Sequence, residues 1–123
     1  MHRGKARVIA TKNIYQMILN DESMKDVIAQ YETKDDFLMQ LCNGVSNNYE
    51  MLNLEIESKL KKGWSMNRLN VIDRAILLVA SYEILFSDLD KRIIINEAVE
   101  NAKVYCDDER HKFINGVLDK IGK

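Results

Sequence analysis

The chain has 123 residues, 46% of them apolar and 30% charged, which is enough apolar material for one buried core and too much for a disordered segment. Proline is absent, a composition that suits helices ended by Gly, Asn and Asp. The net charge of −1 excludes a strong attraction of the whole surface for nucleic acid.

Cysteine content and hydropathy indicate the compartment. Cys42 and Cys106 are far apart and form no CxxC pair, so neither a disulfide framework nor a zinc site is expected. The N-terminal segment carries basic residues without an apolar stretch or cleavage site behind them, and no apolar run reaches the length of a membrane span. We therefore expect an unexported protein of the reducing cytoplasm.

The first helix is predicted over residues 5–20, where apolar residues recur every three or four positions. The first twenty residues also form a basic arm, because they contain four cations and no acidic residue. Its cations would contact RNA phosphates or would only be solvated at a helix start, and both interpretations stay open. Helical spacing places two of them on one face and two on another; they are Arg3 with Arg7, and Lys5 with Lys12.

A weak second helix is predicted over residues 25–31. Thr33, with Asp36 three places on, resembles a capping box at the start of the next helix. An apolar stripe then predicts one unbroken helix over residues 37–61, ended by Gly63. Gly44 lies inside this stripe, where it indicates a close helix crossing.

Ser65 is the capping candidate for a helix with apolar residues from Leu69 to Ile84, which we expect at the centre of the core. Another helix is predicted over residues 93–105, and Asp107 or Asp108 is expected to cap the last one. The single strand-like run, RIIIN, has no partner run. The sequence thus predicts an all-α, single compact domain of about six or seven helices in two small helical subdomains, about 1–62 and 63–123.

Residues that carry catalysis are sparse. The chain has no glycine-rich phosphate loop, no GxSxG and no HExxH. Cys106 and His111 are five residues apart, but a cysteine that ends an apolar stripe is usually a core residue. The run of Asp107, Asp108 and Glu109 lacks calcium-loop spacing and is interpreted as a helix N-terminus. We therefore expect no enzyme activity, no cofactor and no metal.

Several other polar and aromatic residues have two interpretations. Asn96 and Asn115 interrupt apolar patterns, and a side-chain hydrogen bond between helices or to a terminal backbone group is favoured over direct contact with a ligand. Tyr15 and Asp73 lie either at an interface or at the edge of the core. Phe113, beside Lys112, either stacks on a nucleobase or packs in the core.

Four segments in this order resemble the successive signatures of the NusB family over nearly the whole chain: RGKARVIATKNIYQ, GWSMNRLNVIDRAILLVASYEIL, IINEAVENAKVY and HKFINGVLDKI. The resemblance implies two helical subdomains and a role in processive transcription antitermination on ribosomal RNA operons. It implies NusE, the ribosomal small-subunit protein S ten, as a partner, and single-stranded boxA RNA as the ligand of the pair. The complex would join RNA polymerase with other Nus factors, with this chain as a monomer or a homodimer.

Position by position, the resemblance assigns RNA contacts to Arg3, Lys5, Arg7, Glu109, Lys112 and Phe113, and NusE contacts to Tyr15 and Asp73. The chain departs from the pattern at several positions. Gly4 and Lys5 stand where arginine is common, Asp90 where proline is frequent, Asn101 where leucine is, and Arg110 where serine is. Arg110 is expected to add a cation near the RNA-facing start of the last helix.

Two alternatives remain. One is the NusB-like domain of ribosomal RNA cytosine methyltransferases, which would need a further domain with a nucleotide-cofactor loop that residues 1–123 do not contain. The other is a helical adaptor that binds proteins and never RNA. Salt separates this adaptor from an RNA-binding protein, because phosphate contacts weaken steeply with ionic strength and apolar docking barely does.

Overall fold

The computed structural model describes residues 1–30, 35–105 and 108–122, and these residues form helices and no strand. Seven α-helices occur in this part of the chain: α1 (Arg3–Asn20), α2 (Met24–Ala29), α3 (Asp36–Asn47), α4 (Tyr49–Ser58), α5 (Val71–Phe86), α6 (Lys91–Tyr105) and α7 (Asp108–Lys120). A short 3₁₀-helix (Met66–Arg68) lies between α4 and α5. The all-α prediction is confirmed. Among these helices none is long and apolar enough to cross a membrane.

Helix α5 is the centre of the packing. It is apolar around most of its circumference, and it contacts α1, α3, α4, α6 and α7. The buried apolar side chains form one continuous core. The division into two subdomains near Gly63 stays a prediction. Helix α5 packs against helices that precede Gly63 in the chain and against helices that follow it.

The unbroken helix predicted over residues 37–61 is wrong, because the chain breaks at Asn48. This residue has φ −115° and ψ 21°, and both its backbone N–H and its side-chain Nδ2 donate to the carbonyl oxygen of Gly44, at 3.1 and 2.8 Å. A side chain that competes for a backbone carbonyl ends the helix there. Periodicity did not reveal the break because Val45 and Leu52, on either side of it, are both fully buried.

Two predicted helix starts are also wrong. Helix α3 is capped by Asp35, whose Oδ2 accepts from the backbone N–H of Leu38 at 3.0 Å, whereas Thr33 lies outside the described residues. Ser65 precedes the 3₁₀-helix and makes no side-chain cap, and α5 begins only at Val71. The sequence pattern located these helices but not their first turns.

Asp90, one of the departures from the family pattern, lies directly before α6. Asp90 Oδ1 accepts from the backbone N–H of Arg92 at 2.8 Å, so this aspartate caps the helix. The hydrogen bonds from Arg92 hold the pKa of Asp90 below its usual range. For α7, the cap candidate Asp107 lies outside the described residues, and the other candidate, Asp108, is already the first residue of the helix.

A polar seam joins α1 to α5 and α6. Arg7 on α1 makes two hydrogen bonds to the carboxylate of Glu83 on α5, Nε to Oε1 at 2.7 Å and Nη2 to Oε2 at 2.9 Å. Both residues are buried, at 8% and 3% exposure. The side-chain amide of Asn101 on α6 donates to Thr11 Oγ1 on α1 at 2.9 Å. The hydrogen bond to Glu83 raises the pKa of Arg7, so the guanidinium stays charged.

The hydrogen bonds predicted for the side chains of Asn96 and Asn115 stay a prediction, and both residues are exposed. The buried asparagines are Asn13 and Asn101. Asn13 Nδ2 lies 3.5 Å from the Sγ of Cys42, and burial raises the pKa of that thiol. Asn101, one of the departures from the family pattern, uses its side-chain amide to join α6 to α1.

Gly44 marks the close crossing of α3 and α5, as predicted. A Cβ placed there would fall on the ring of Tyr82, which itself stacks on Phe86 with 5.1 Å between ring centroids. Gly116 on α7 is the matched contrast, because a Cβ there would meet nothing within 4 Å.

We expect Gly44→Ala to lower the free energy of unfolding by about 1–3 kcal/mol, since the methyl group must displace an aromatic ring in a packed crossing. Gly116→Ala is expected to leave stability unchanged or raise it by about 0.4–1 kcal/mol, because alanine restricts the unfolded chain. Urea unfolding followed by circular dichroism measures both. Equal stabilities for the two variants would show that the ring of Tyr82 moves aside without cost.

We expect Arg7→Ala to cost about 3–5 kcal/mol of stability, because it leaves the carboxylate of Glu83 buried without a cation. Lys5→Ala, two residues away and exposed, should change stability by less than about 0.5 kcal/mol. The paired substitution Arg7→Met with Glu83→Leu should recover most of the loss. If Arg7→Ala and Lys5→Ala unfold at the same urea concentration, the ion pair does not contribute as described.

Candidate nucleic-acid interface

The first turns of α7 separate two cavities on the surface, with Glu109 lining one and Arg110 the other. The first cavity, here called the basic groove, has a volume of about 460 Å³ and lies between α7 and the segment that follows α4. Its lining residues are Lys59, Leu60, Lys61, Trp64, Glu109, Lys112, Phe113, Gly116, Val117 and Lys120.

One wall of the basic groove is a single face of α7. Glu109, Phe113, Gly116 and Lys120 follow each other at helical spacing, so they point to the same side. Because Gly116 has no side chain and an added Cβ would meet nothing within 4 Å, the middle of this wall is open. A flat group can therefore approach the helix backbone between Phe113 and Lys120.

The chemistry of the basic groove fits a single-stranded nucleic acid. Four lysines and one glutamate line it, and two aromatic rings are exposed there, Phe113 at 37% and Trp64 at 54%. Cations hold backbone phosphates, and exposed rings stack on bases. Lys112 Nζ lies 3.9 Å from Glu109 Oε1. Both groups are exposed, so this contact is weak and Lys112 can leave Glu109 to bind a phosphate.

The structure places three of the predicted RNA-contacting residues, Glu109, Lys112 and Phe113, together in this groove. Sequence reasoning missed the opposite wall, formed by Lys59, Lys61 and Trp64, and also Lys120 of α7. The signal was present in the run KLKKGW, where three lysines precede the only tryptophan of the chain. Periodicity assigned that run to a helix end and gave it no further role.

The basic arm at the start of α1 lies apart from the groove. Arg3 lines a separate cavity of about 400 Å³, and its guanidinium lies 4.4 Å from the ring centroid of Phe37. The guanidinium of Arg7 lies 5.2 Å from the same ring, so Arg3 and Arg7 share one face, as predicted. Lys5 and Lys12 are both exposed. Arg7 offers little charge to a ligand, since Glu83 engages it in the core.

The second cavity, here called the tyrosine cleft, has a volume of about 550 Å³. It brings the two predicted partner-binding positions close together. Tyr15 lines it directly, while Asp73 is 5% exposed and is paired with Arg110, whose Nη2 lies 3.0 Å from Asp73 Oδ1. The full lining is Lys12, Tyr15, Asn70, Val71, Ile72, Tyr105 and Arg110.

Arg110 has a different position from the one expected. Instead of adding a cation to the RNA-facing edge, it lines the tyrosine cleft and joins the start of α7 to α5 through Asp73. The ion pair therefore fixes the first turn of α7 between the two cavities.

The catalytic alternatives gain no support. Cys106 lies outside the described residues, and His111 is half-buried and takes part in a contact of its own. In residues 1–30, 35–105 and 108–122, no three His, Cys, Asp or Glu side chains are grouped so as to hold a metal ion.

Comparison with known proteins identifies the family of this chain. The model of the NusB family matches residues 4–123. The transcription antitermination protein NusB of Pediococcus pentosaceus is 40% identical over 131 residues, an alignment that covers 100% of this chain and 98% of that relative.

Two solved structures share the fold. T. maritima NusB has a TM-score of 0.88 and 34% identity, with 98% of this chain and 90% of that chain covered. A chain in the complex of antitermination factors NusB and NusE with double-stranded RNA has a TM-score of 0.81 and 26% identity, with 98% and 97% covered. On the match of the family model and of full-length relatives, this chain belongs to the NusB family.

Proposed function

We propose that this chain is a transcription antitermination factor that works as an adaptor and not as an enzyme. With NusE it binds boxA RNA of nascent ribosomal RNA transcripts and helps to assemble a processive complex on RNA polymerase with other Nus factors. The basic groove carries this proposal, because lysines and exposed aromatic rings lie together beside a second cavity suited to a protein. Membership of the NusB family supports it.

The RNA is held through its phosphates and its unpaired bases. Lys61, Lys112 and Lys120 bring cations to the groove, and Phe113 presents a ring that a splayed base can stack on. Arg3 and Lys5, exposed on the basic arm, extend the positive surface to a second region of the chain. Arg7 contributes by holding α1 against α5, and direct contact between Arg7 and RNA stays a prediction.

NusE is proposed to occupy the tyrosine cleft. Tyr15 and Tyr105 offer rings with polar ends, a residue type that is enriched at protein interfaces. Val104, which precedes Tyr105 in the chain, is 70% exposed and adds apolar surface. Because the adjacent residues Glu109 and Arg110 line different cavities, a partner in the cleft lies next to RNA in the groove. Such a partner enlarges an RNA-binding surface too small to bind tightly alone.

We expect single-stranded boxA RNA to bind this protein, with NusE tightening the interaction, and the log-log salt slope to be about −2 to −3, as for three or four phosphate contacts on a single strand. Fluorescence anisotropy of labelled RNA measures this, with a duplex of the same sequence as a competitor. Lys112→Ala or Lys61→Ala should each make the slope shallower by about 0.7. Lys25→Ala on α2, outside the groove, is the control.

Absence of RNA binding by the wild-type protein, even with NusE present, would contradict the antitermination function. Binding of NusE without RNA, and with little salt dependence, would instead favour the adaptor that binds only proteins. The net charge of −1 for the whole chain keeps that second function open.

We expect Tyr15→Ala to weaken NusE binding by tenfold or more, about 1.4 kcal/mol, because a tyrosine at the centre of an interface commonly dominates its affinity. Leu19→Ala is the matched control, since Leu19 is on the same helix, is 56% exposed and does not line the cleft. Isothermal titration calorimetry measures both. Equal affinities would place NusE elsewhere on the surface.

A further inference from the structure

Trp64 is the only tryptophan of the chain, and it is 54% exposed. An indole ring contributes more to stability than almost any other side chain when it is buried. Here the ring is left at the surface, in a loop that packs other residues inward. Its position calls for a reason other than the stability of the core.

The backbone places this ring by a tight turn. The N–H of Trp64 donates to the carbonyl oxygen of Lys61 at 3.0 Å, and Gly63, immediately before the tryptophan, has φ +91°. That conformation is one that glycine adopts without strain and other residues rarely do. The turn ends the segment after α4 and directs the chain toward the 3₁₀-helix.

The loop is braced on both sides of the ring. Arg68 Nη1 donates to the carbonyl oxygen of Gly63 at 3.2 Å, and the backbone N–H of Met66 donates to Glu57 Oε2 at 2.8 Å. Met66 itself is 3% exposed and anchors the loop in the core. Trp64 is therefore an exposed ring on a held backbone, so a ligand that stacks on it orders little additional chain.

Trp64 and Phe113 line the same groove from its two walls. Trp64 comes from the segment after α4 and Phe113 from α7, and the open position of Gly116 lies between Phe113 and Lys120. Each ring has a lysine near it in the chain, Lys61 on one wall and Lys112 on the other. Each wall thus pairs a stacking surface with a cation for a phosphate.

We propose that Trp64 is a second base-stacking residue, so that the basic groove takes two unpaired bases of one RNA strand, one on Trp64 and one on Phe113. This inference rests on the proposed RNA-binding function and deepens it. It commits the groove to single-stranded RNA, because the faces of bases in a duplex are covered by their neighbours. The lysines of the two walls hold the phosphates beside these bases.

The single tryptophan is a direct reporter of this contact. Unlabelled single-stranded boxA RNA is titrated into the complex of this chain with NusE, and indole emission is followed while anisotropy is measured on labelled RNA in parallel. Stacking of a base on Trp64 is expected to quench the emission, with the same midpoint as the anisotropy. The complex made with Trp64→Phe gives the background from any tryptophan of NusE.

Variants test the energy of the contact. Trp64→Ala should weaken RNA binding about tenfold, within the range measured for loss of one stacked base. It should leave the salt slope unchanged, because no phosphate contact is removed. Trp64→Phe, which keeps a ring, should retain affinity to within about threefold, and Leu54→Ala, at a residue 70% exposed outside the groove, should have no effect.

Each outcome decides the proposal. RNA binding by anisotropy with unchanged indole emission and full affinity of Trp64→Ala would overturn the role of Trp64 and leave the proposed function intact. An equal loss for Trp64→Phe and Trp64→Ala would also overturn it, since ring stacking would not be the cause. Absence of RNA binding by the wild-type complex would overturn both this inference and the proposed function.

Discussion

The buried ion pair of Arg7 with Glu83 sets the position of α1 along α5, and the surface features of α1 depend on it. The two hydrogen bonds from the Arg7 guanidinium to the Glu83 carboxylate, at 2.7 and 2.9 Å, allow only one register of α1 along α5. In that register Lys12 and Tyr15 reach the beginning of α5, where they line the tyrosine cleft, and Arg3 reaches the cavity near its end. A desolvated pair contributes little net stability but fixes geometry, since any other register leaves a charge unpaired in the core.

A second ion pair, between Asp73 and Arg110, does the same for α7. It holds the helix start against α5 at the point where the basic groove and the tyrosine cleft meet. RNA and partner sites that share one helix turn can influence each other without a large conformational change, because a ligand on either side contacts the same few residues. The arrangement gives a small protein two adjacent binding surfaces on one rigid element.

The cations at these sites differ in environment, and the difference follows residue type. Arg7 and Arg110 are engaged by carboxylates, whereas Lys61, Lys112 and Lys120 are exposed in the groove. A planar guanidinium suits a fixed two-point contact, and an ammonium on a flexible chain suits phosphates of variable position. From the sequence, Arg7 and Lys5 were equally good candidates for RNA contact, because a count of charges does not say which of them meets a carboxylate from a helix about 76 residues away.

Hydrophobic periodicity and motif order determined that the chain is all-α, which segment forms the central helix, and that it resembles the NusB family. These are properties of local spacing and of residue order. Only the tertiary structure decided that the long third helix breaks at Asn48, that Arg7 is buried against Glu83, and that the wall with Trp64 faces the wall with Phe113. The physical reason is that spacing reports which side of a helix is apolar. It does not report which helices pack together, and a site made of segments about 50 residues apart exists only once they do.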